Sequence, residues 1–164
     1  MRALSLALRK ARTLTTFSAL EVTFVLPAFL LLGLARLAIL LLPFRVYARH
    51  FGAVAALKPA PSQASEADLK RARSVGRVVR SVANVTPWAS LCLAQAMVAA
   101  LLLRLIDVPY CVFFGVAPTQ DQKDANPLDA HAWIMTGDAA VTGGRGHRRF
   151  TVVQVFERDK RKLN

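Results

Sequence analysis

The sequence predicts an α+β fold in which a central apolar helix carrying Cys92 packs on a small antiparallel sheet, with apolar helices ahead of both. Three observations predict it. Residues 93–105 are almost wholly apolar over a helical length, short runs rich in β-branched and aromatic residues follow, and a long apolar stretch comes first. The 164 residues carry a net charge of +12, 54% hydrophobic residues and a mean hydropathy of +0.37, with only 8 Gly and 8 Pro. Such a balance excludes disordered and collagen-like chains, and a chain of this length can bury roughly 70% of its unfolded surface in one core. Cys92 and Cys111 are the two cysteines. They cannot build a disulfide framework or a four-thiolate metal site, so a reducing, cytoplasmic setting is expected, with no metal and no other cofactor.

The basic surplus is spread out. Residues 1–58 hold eight Lys/Arg against Glu21 alone, residues 70–80 hold five and residues 145–162 hold seven. No zinc-ligand spacing, basic heptad region or RNA-recognition aromatic pattern accompanies them, so nucleic acid is not an expected partner. Anionic lipid or an acidic peptide partner suits the charge better.

In chain order, residues 22–35 read VTFVLPAFLLLGLA without a charge, followed by Arg36 and LAILLLPF. Fourteen uncharged residues cover about 21 Å as a helix against roughly 30 Å of hydrocarbon. A span would therefore carry Arg36 inside, at about 2.5–3.5 kcal/mol, or let it snorkel, with Arg45, Arg49 and Lys58 as cytoplasmic anchors. A buried or interfacial helix pair is the alternative reading, so association with a membrane surface through residues 22–44 is an expectation alongside it. A cleaved signal peptide fits less well, because the apolar run resumes after Arg36. Residues 53–65, AVAALKPAPSQAS, read as a linker. The boundaries expected are an apolar helical segment over 1–57, a linker over 58–65 and a catalytic core over 66–164.

Ser65 followed by Asp68 is a capping-box-like start, and Leu69, Ala72, Val75, Val79 and Val82 recur at helical spacing. The basic face of this helix is either a solvated surface or a docking face for an acidic partner, with Arg73 and Arg77 the residues that would test it. The next helix has two candidate caps, Thr86 with Pro87 at the first helical position, or Ser90 with Cys92 two residues inside. Only the cap at Ser90 would place the thiol where the free amides and helix dipole favour a thiolate.

Residues 110–116 read as a buried strand and place Cys111 in the core. Residues 130–135 and 140–144 flank a turn on Gly137 and Asp138 and read as a hairpin, with His131 near the start of its first arm; residues 150–156 supply a further strand. A helix-borne cysteine opposite a sheet-borne histidine is the general layout of papain-type and transglutaminase-type sites.

The stretch PWASLCLAQAMVAALLLRL, the strand ending FFGV, and AHAWI followed by a hairpin and Gly-Gly resemble the transglutaminase-like cysteine peptidases of lasso-peptide maturation, which remove the leader from the precursor. An apolar helix ending in PFR and the basic helix after it extend the resemblance over nearly the whole chain. It implies Cys92 as nucleophile, His131 as general base and acid, a transglutaminase-related fold, and a packed rather than spanning role for residues 22–44. The implied partners are the precursor leader peptide, a separate leader-recognition protein and a separate lasso cyclase.

The sequence departs from that family at the third catalytic position, where an aspartate about twelve residues after the histidine is replaced by Gly143. Asp138 is no substitute, because it falls at the hairpin tip, about 20 Å from His131 at 3.3 Å per residue. A backbone carbonyl, a water, Asp129 or Gln154 are the remaining ways to orient the imidazole. Gln95 is a weak candidate for an oxyanion donor. Two rival readings follow from the missing acid and from the shared chemistry: a non-catalytic membrane-associated adaptor, and an acyl transferase that ends the thioester with an amine. No phosphate-cradling glycine motif is present, so ATP use is not expected of this chain.

Overall fold

Ser18 and Ser65 each open a long helix with a reciprocal cap. Ser18 Oγ accepts from the Glu21 amide and Glu21 Oε2 accepts from the Ser18 amide at 2.7 Å; Ser65 and Asp68 repeat the exchange, both bonds at 3.1 Å. Each pair satisfies two of the amides that a helix start leaves without partners. The protein is described here from a computed structural model covering residues 17–57, 64–119 and 127–159.

Helix α1 (Ala19–Leu41) runs through Pro27 and Arg36 without a break. At 1.5 Å per residue it is about 34 Å long, and it is apolar enough to cross a membrane by length and composition. Only one stripe is buried, made by Glu21, Ala28, Leu32 and Ala35. Leu26, Leu30, Leu34, Leu37 and Leu41 lie on the opposite side and are each more than half exposed. A short helix α2 (Phe44–Ala48) and strand β1 (Ala53–Val54) follow. The segment expected to be a linker therefore opens with a strand, paired antiparallel to Phe156 and Glu157; of residues 58–65 only 64 and 65 are described.

Helix α3 (Glu66–Ala83) buries Ala72, Val75, Val78, Val79 and Val82, the apolar spacing that predicted it. Helix α4 (Cys92–Leu105) buries residues on most of its circumference, including Ala94, Ala96, Val98, Ala99 and Leu102, because α1, α3 and the sheet all pack on it. It stops at Ile106, and Asp107 takes a left-handed backbone, φ 51°, to turn the chain into the sheet.

Strands β2 (Tyr110–Pro118), β3 (Leu128–Thr136), β4 (Ala139–Thr142) and β5 (Thr151–Arg158) join β1 in one antiparallel sheet ordered β1-β5-β2-β3-β4. The β3–β4 hairpin turns on Gly137 and Asp138 as predicted. Cys111 lies in β2, 6% exposed, in keeping with its expected place in the core. Residues of α1, α3, α4 and the sheet share one buried cluster, with Leu32, Val75, Val98 and Ile134 fully enclosed. Mixed helix and antiparallel sheet is the fold class expected.

Gly76 sets the distance between α3 and the sheet. A Cβ there would collide with the Val141 carbonyl of β4 and come within 2.9 Å of the Arg80 guanidinium. Gly76→Ala should destabilise the protein by about 1–3 kcal/mol through overpacking, read as a lowered urea midpoint at unchanged slope.

Candidate active site

Cys92 is the first residue of α4, and neither expected cap precedes it. Leu91 occupies the cap position and offers no side-chain acceptor. The hydroxyls of Thr86 and Ser90 lie 2.8 Å apart and bond each other, and Thr86 Oγ1 is also 3.0 Å from the Ala83 carbonyl. Both are thus used to hold the loop between α3 and α4. Trp88 anchors the same loop on α1, with its ring 5.2 Å from that of Phe29 and against Gly33. One task of α1 is to buttress the turn that delivers the cysteine.

The first intrahelical bond of α4 runs from the Gln95 amide to the Leu91 carbonyl at 3.0 Å. The amides of Cys92, Leu93 and Ala94 precede it and have no helical partner, which leaves a positive helix end beside the thiol. Gln95 Nε2 donates to the Ser90 carbonyl at 2.8 Å. That bond ties the side chain to the loop through one of its two N–H groups, while Gln95 also lines the cleft; the backbone amides near Cys92 are the oxyanion donors the sequence reading favours over it.

His131 lies in β3 opposite Gly115 of β2. Its imidazole stacks on Phe150 at 4.9 Å and on Trp133 at 5.8 Å. Gly115 makes room for this aromatic bed, because a Cβ there would fall 2.9 Å from Phe150 Cβ and 3.0 Å from the Trp133 ring. The imidazole Nε2 is 2.8 Å from the Gly143 carbonyl. A carbonyl only accepts, so Nε2 carries the hydrogen and Nδ1 keeps the lone pair.

The group bonded to the imidazole is therefore a backbone carbonyl, at the position where the resemblance implies an acid. Asp129 and Gln154, the side chains considered for the role, are engaged elsewhere. Asp129 binds Arg149 at 2.6 Å, a hydrogen bond that holds its carboxyl below its ordinary pKa, and Gln154 Nε2 donates to the Val155 carbonyl at 3.2 Å. Asp138 sits exposed at the hairpin tip. Gly143 has φ +68°, and a Cβ on it would be 2.5 Å from the Ala132 carbonyl and 2.8 Å from Trp133 Cβ. This backbone has no room for an aspartate side chain.

Cys92 and His131 line one cleft of about 760 Å³. Its other walls include Arg77 and Arg80 of α3, Asn84 just past the end of that helix, and the loop after β4 with Gly143, Gly144 and Arg145. The loop is pinned a second time by His147, whose Nδ1 donates to the Gly144 carbonyl at 2.6 Å. His147, Arg145 and the cleft-facing role of Arg77 and Arg80 are not evident from the sequence reading. The Gly-Gly-Arg-Gly-His run opposite the histidine was the available signal for the loop. Arg77, Arg80 and Asn84 recur at three- and four-residue spacing, which was the signal for the helix.

Charge at the cleft is one-sided. Glu21, 2% exposed, pairs with Arg77 Nε at 3.3 Å but makes no hydrogen bond through that oxygen. Arg80 Nη1 donates to the Val141 carbonyl. Partial burial, then the neighbouring Arg145 and Arg77, hold the Arg80 pKa below the usual arginine value. Among the described residues no group of three His, Cys, Asp or Glu is placed to hold a metal.

Comparison with curated proteins and with solved structures gives no match. Residues 38–155, about seven-tenths of the chain, match the family described as the transglutaminase-like superfamily, a group compatible with cysteine peptidase or acyltransferase chemistry. The matched span contains Cys92, His131 and the carbonyl that holds the imidazole, and on it the chain belongs to the transglutaminase-like superfamily.

Proposed function

We propose that the chain is a cysteine peptidase that removes the leader from a lasso-peptide precursor. The observation that carries the peptidase reading is the presence, in one cleft, of a thiol at a helix start and an imidazole held by the Gly143 carbonyl in the tautomer that frees Nδ1. In this mechanism Nδ1 of His131 takes the Cys92 proton, and the thiolate attacks the carbonyl at the leader–core junction. The unpartnered amides at the start of α4 receive the oxyanion. The imidazolium then protonates the departing amine, and a water activated by the same imidazole hydrolyses the thioester.

A neutral carbonyl stabilises the imidazolium less than a carboxylate would, so a modest rate or dependence on a partner is expected. A separate leader-recognition protein and a separate lasso cyclase complete the proposed pathway. The exposed leucine row of α1 supports association with a membrane surface, whose anionic headgroups would also favour the chain's net charge of +12.

The test is mass spectrometry of a precursor from the same gene neighbourhood, incubated with this protein and the recognition partner. Hydrolysis yields fragments whose summed mass exceeds the precursor by one water. Transamidation of a Gln side-chain carboxamide by an amine would instead release ammonia and give a product lighter by one ammonia than its two reactants, which would establish the acyl transferase, and an intact precursor bound by its partner would favour the adaptor. Iodoacetamide supplies an independent check. Cys92, partly exposed, should alkylate much faster than Cys111 in its core position, and His131→Ala should remove most of the difference.

A further inference from the structure

We propose that Arg77, Arg80 and Arg145 form a carboxylate-binding subsite that selects peptides with an Asp or Glu side chain within about three residues of the reacting carbonyl. The inference rests on the peptidase reading for the identity of the reacting group, but its own evidence is the charge and geometry of the cleft wall. None of the residues lining the cleft is an Asp or Glu. The three arginines come from two elements, α3 and the loop after β4, and line the same cleft as Cys92 and His131.

Two of the three are held in place from behind. Glu21 forms an ion pair with Arg77 at Nε, and the Val141 carbonyl accepts a hydrogen bond from Arg80 Nη1, so each fork keeps further N–H donors for a ligand. Arg145 has no ion pair among the described residues. Arg145 and Arg77 both lie close enough to Arg80 to add, after its partial burial, to the lowering of its pKa, and an anion in the cleft would offset their mutual repulsion.

A guanidinium fork matches a carboxylate bidentately. The cleft of about 760 Å³ is the size of a sphere about 11 Å across, or roughly three residues of extended chain at 3.3–3.6 Å each. An anion seated on the arginines while a carbonyl meets the thiol therefore belongs to the same short peptide segment. A peptide carboxylate fits this arrangement better than a nucleic-acid phosphate, since the chemistry beside the arginines acts on an acyl group.

The experiment measures binding to the full-length Cys92→Ala chain, so that failure of catalysis cannot mask the subsite. Two short fluorescein-labelled peptides are compared by anisotropy, one with Asp and Glu at three adjacent positions and its twin with Asn and Gln there. The acidic peptide should bind about tenfold or more tightly than its twin at low salt, with the gap closing as salt is raised. Arg145→Glu, at an exposed loop position, should erase the preference while thermal unfolding stays unchanged, and Arg145→Lys should keep part of it. Equal binding of the twins, or no binding of either at millimolar concentration, overturns the proposal. So does a preference untouched by Arg145→Glu and Arg80→Gln. Undiscriminated peptides together with Arg145-dependent binding to phosphatidylglycerol vesicles would assign the cluster to lipid instead. Loss of precursor cleavage with the binding preference intact would count against the peptidase reading alone.

Discussion

Cys92→Ala should reduce leader release to background, a loss of more than about 10⁴-fold in kcat/KM, and His131→Ala should lower it by about 10²–10⁴-fold. The asymmetry follows from the roles assigned. Without the sulfur no acyl-enzyme forms. Without the imidazole the sulfur remains and can still attack, only with no group to take its proton. The double variant should be no slower than Cys92→Ala alone, because residues that act as one unit are not additive. Neither substitution should cost the fold, since both side chains face a cleft and neither belongs to the fully enclosed core. Matched circular dichroism and urea midpoints would check that point. Retention of cleavage by Cys92→Ala would remove the cysteine mechanism altogether, whatever became of the histidine variant.

How far the sequence reached depends on the range of the forces involved. Local patterns placed α3 to the residue at its start, because the Ser65–Asp68 exchange is decided within four residues. The hairpin turn on Gly137 and Asp138, the end of α4 near Asp107 and the four main strands were legible for the same reason. The start of α4 was not. Thr86 and Ser90 both have cap chemistry, but their hydroxyls bond each other, and Trp88 finds its place against Phe29 of α1, about sixty residues earlier. Strand β1 was invisible because its partner β5 lies about a hundred residues away and its own two residues, Ala53 and Val54, carry no alternation. The candidate site residues Cys92 and His131, which the structure places in one cleft, were singled out by type and context. The group that orients His131 did not, because a carbonyl has no side-chain signature. Arg77 and Arg80 were read as part of a basic outer face; the approach of α3 to β4 over Gly76 turns them onto the cleft instead.

Restoring the acid that the resemblance calls for should harm this protein rather than improve it. In Gly143→Asp the new Cβ would lie 2.5 Å from the Ala132 carbonyl and 2.8 Å from Trp133 Cβ, on a backbone with φ +68°. The left-handed conformation alone costs a non-glycine residue about 1–3 kcal/mol, and relieving the contacts must move the backbone that carries the Gly143 carbonyl. That carbonyl holds His131 at 2.8 Å, so the substitution loosens the imidazole while straining the loop. A chain of this size should lose roughly 2–4 °C of Tm per kcal/mol, and kcat should fall by about tenfold or more with KM little changed, since the damage is to the base and not to the peptide-binding walls. Gly143→Ala separates the two components, because it carries the same backbone strain without a carboxylate. Both variants should slow to a similar extent. A Gly143→Asp enzyme faster than Gly143→Ala by an order of magnitude would mean that the carboxylate reaches His131 and replaces the carbonyl, and the backbone-oriented site described here would have to be abandoned.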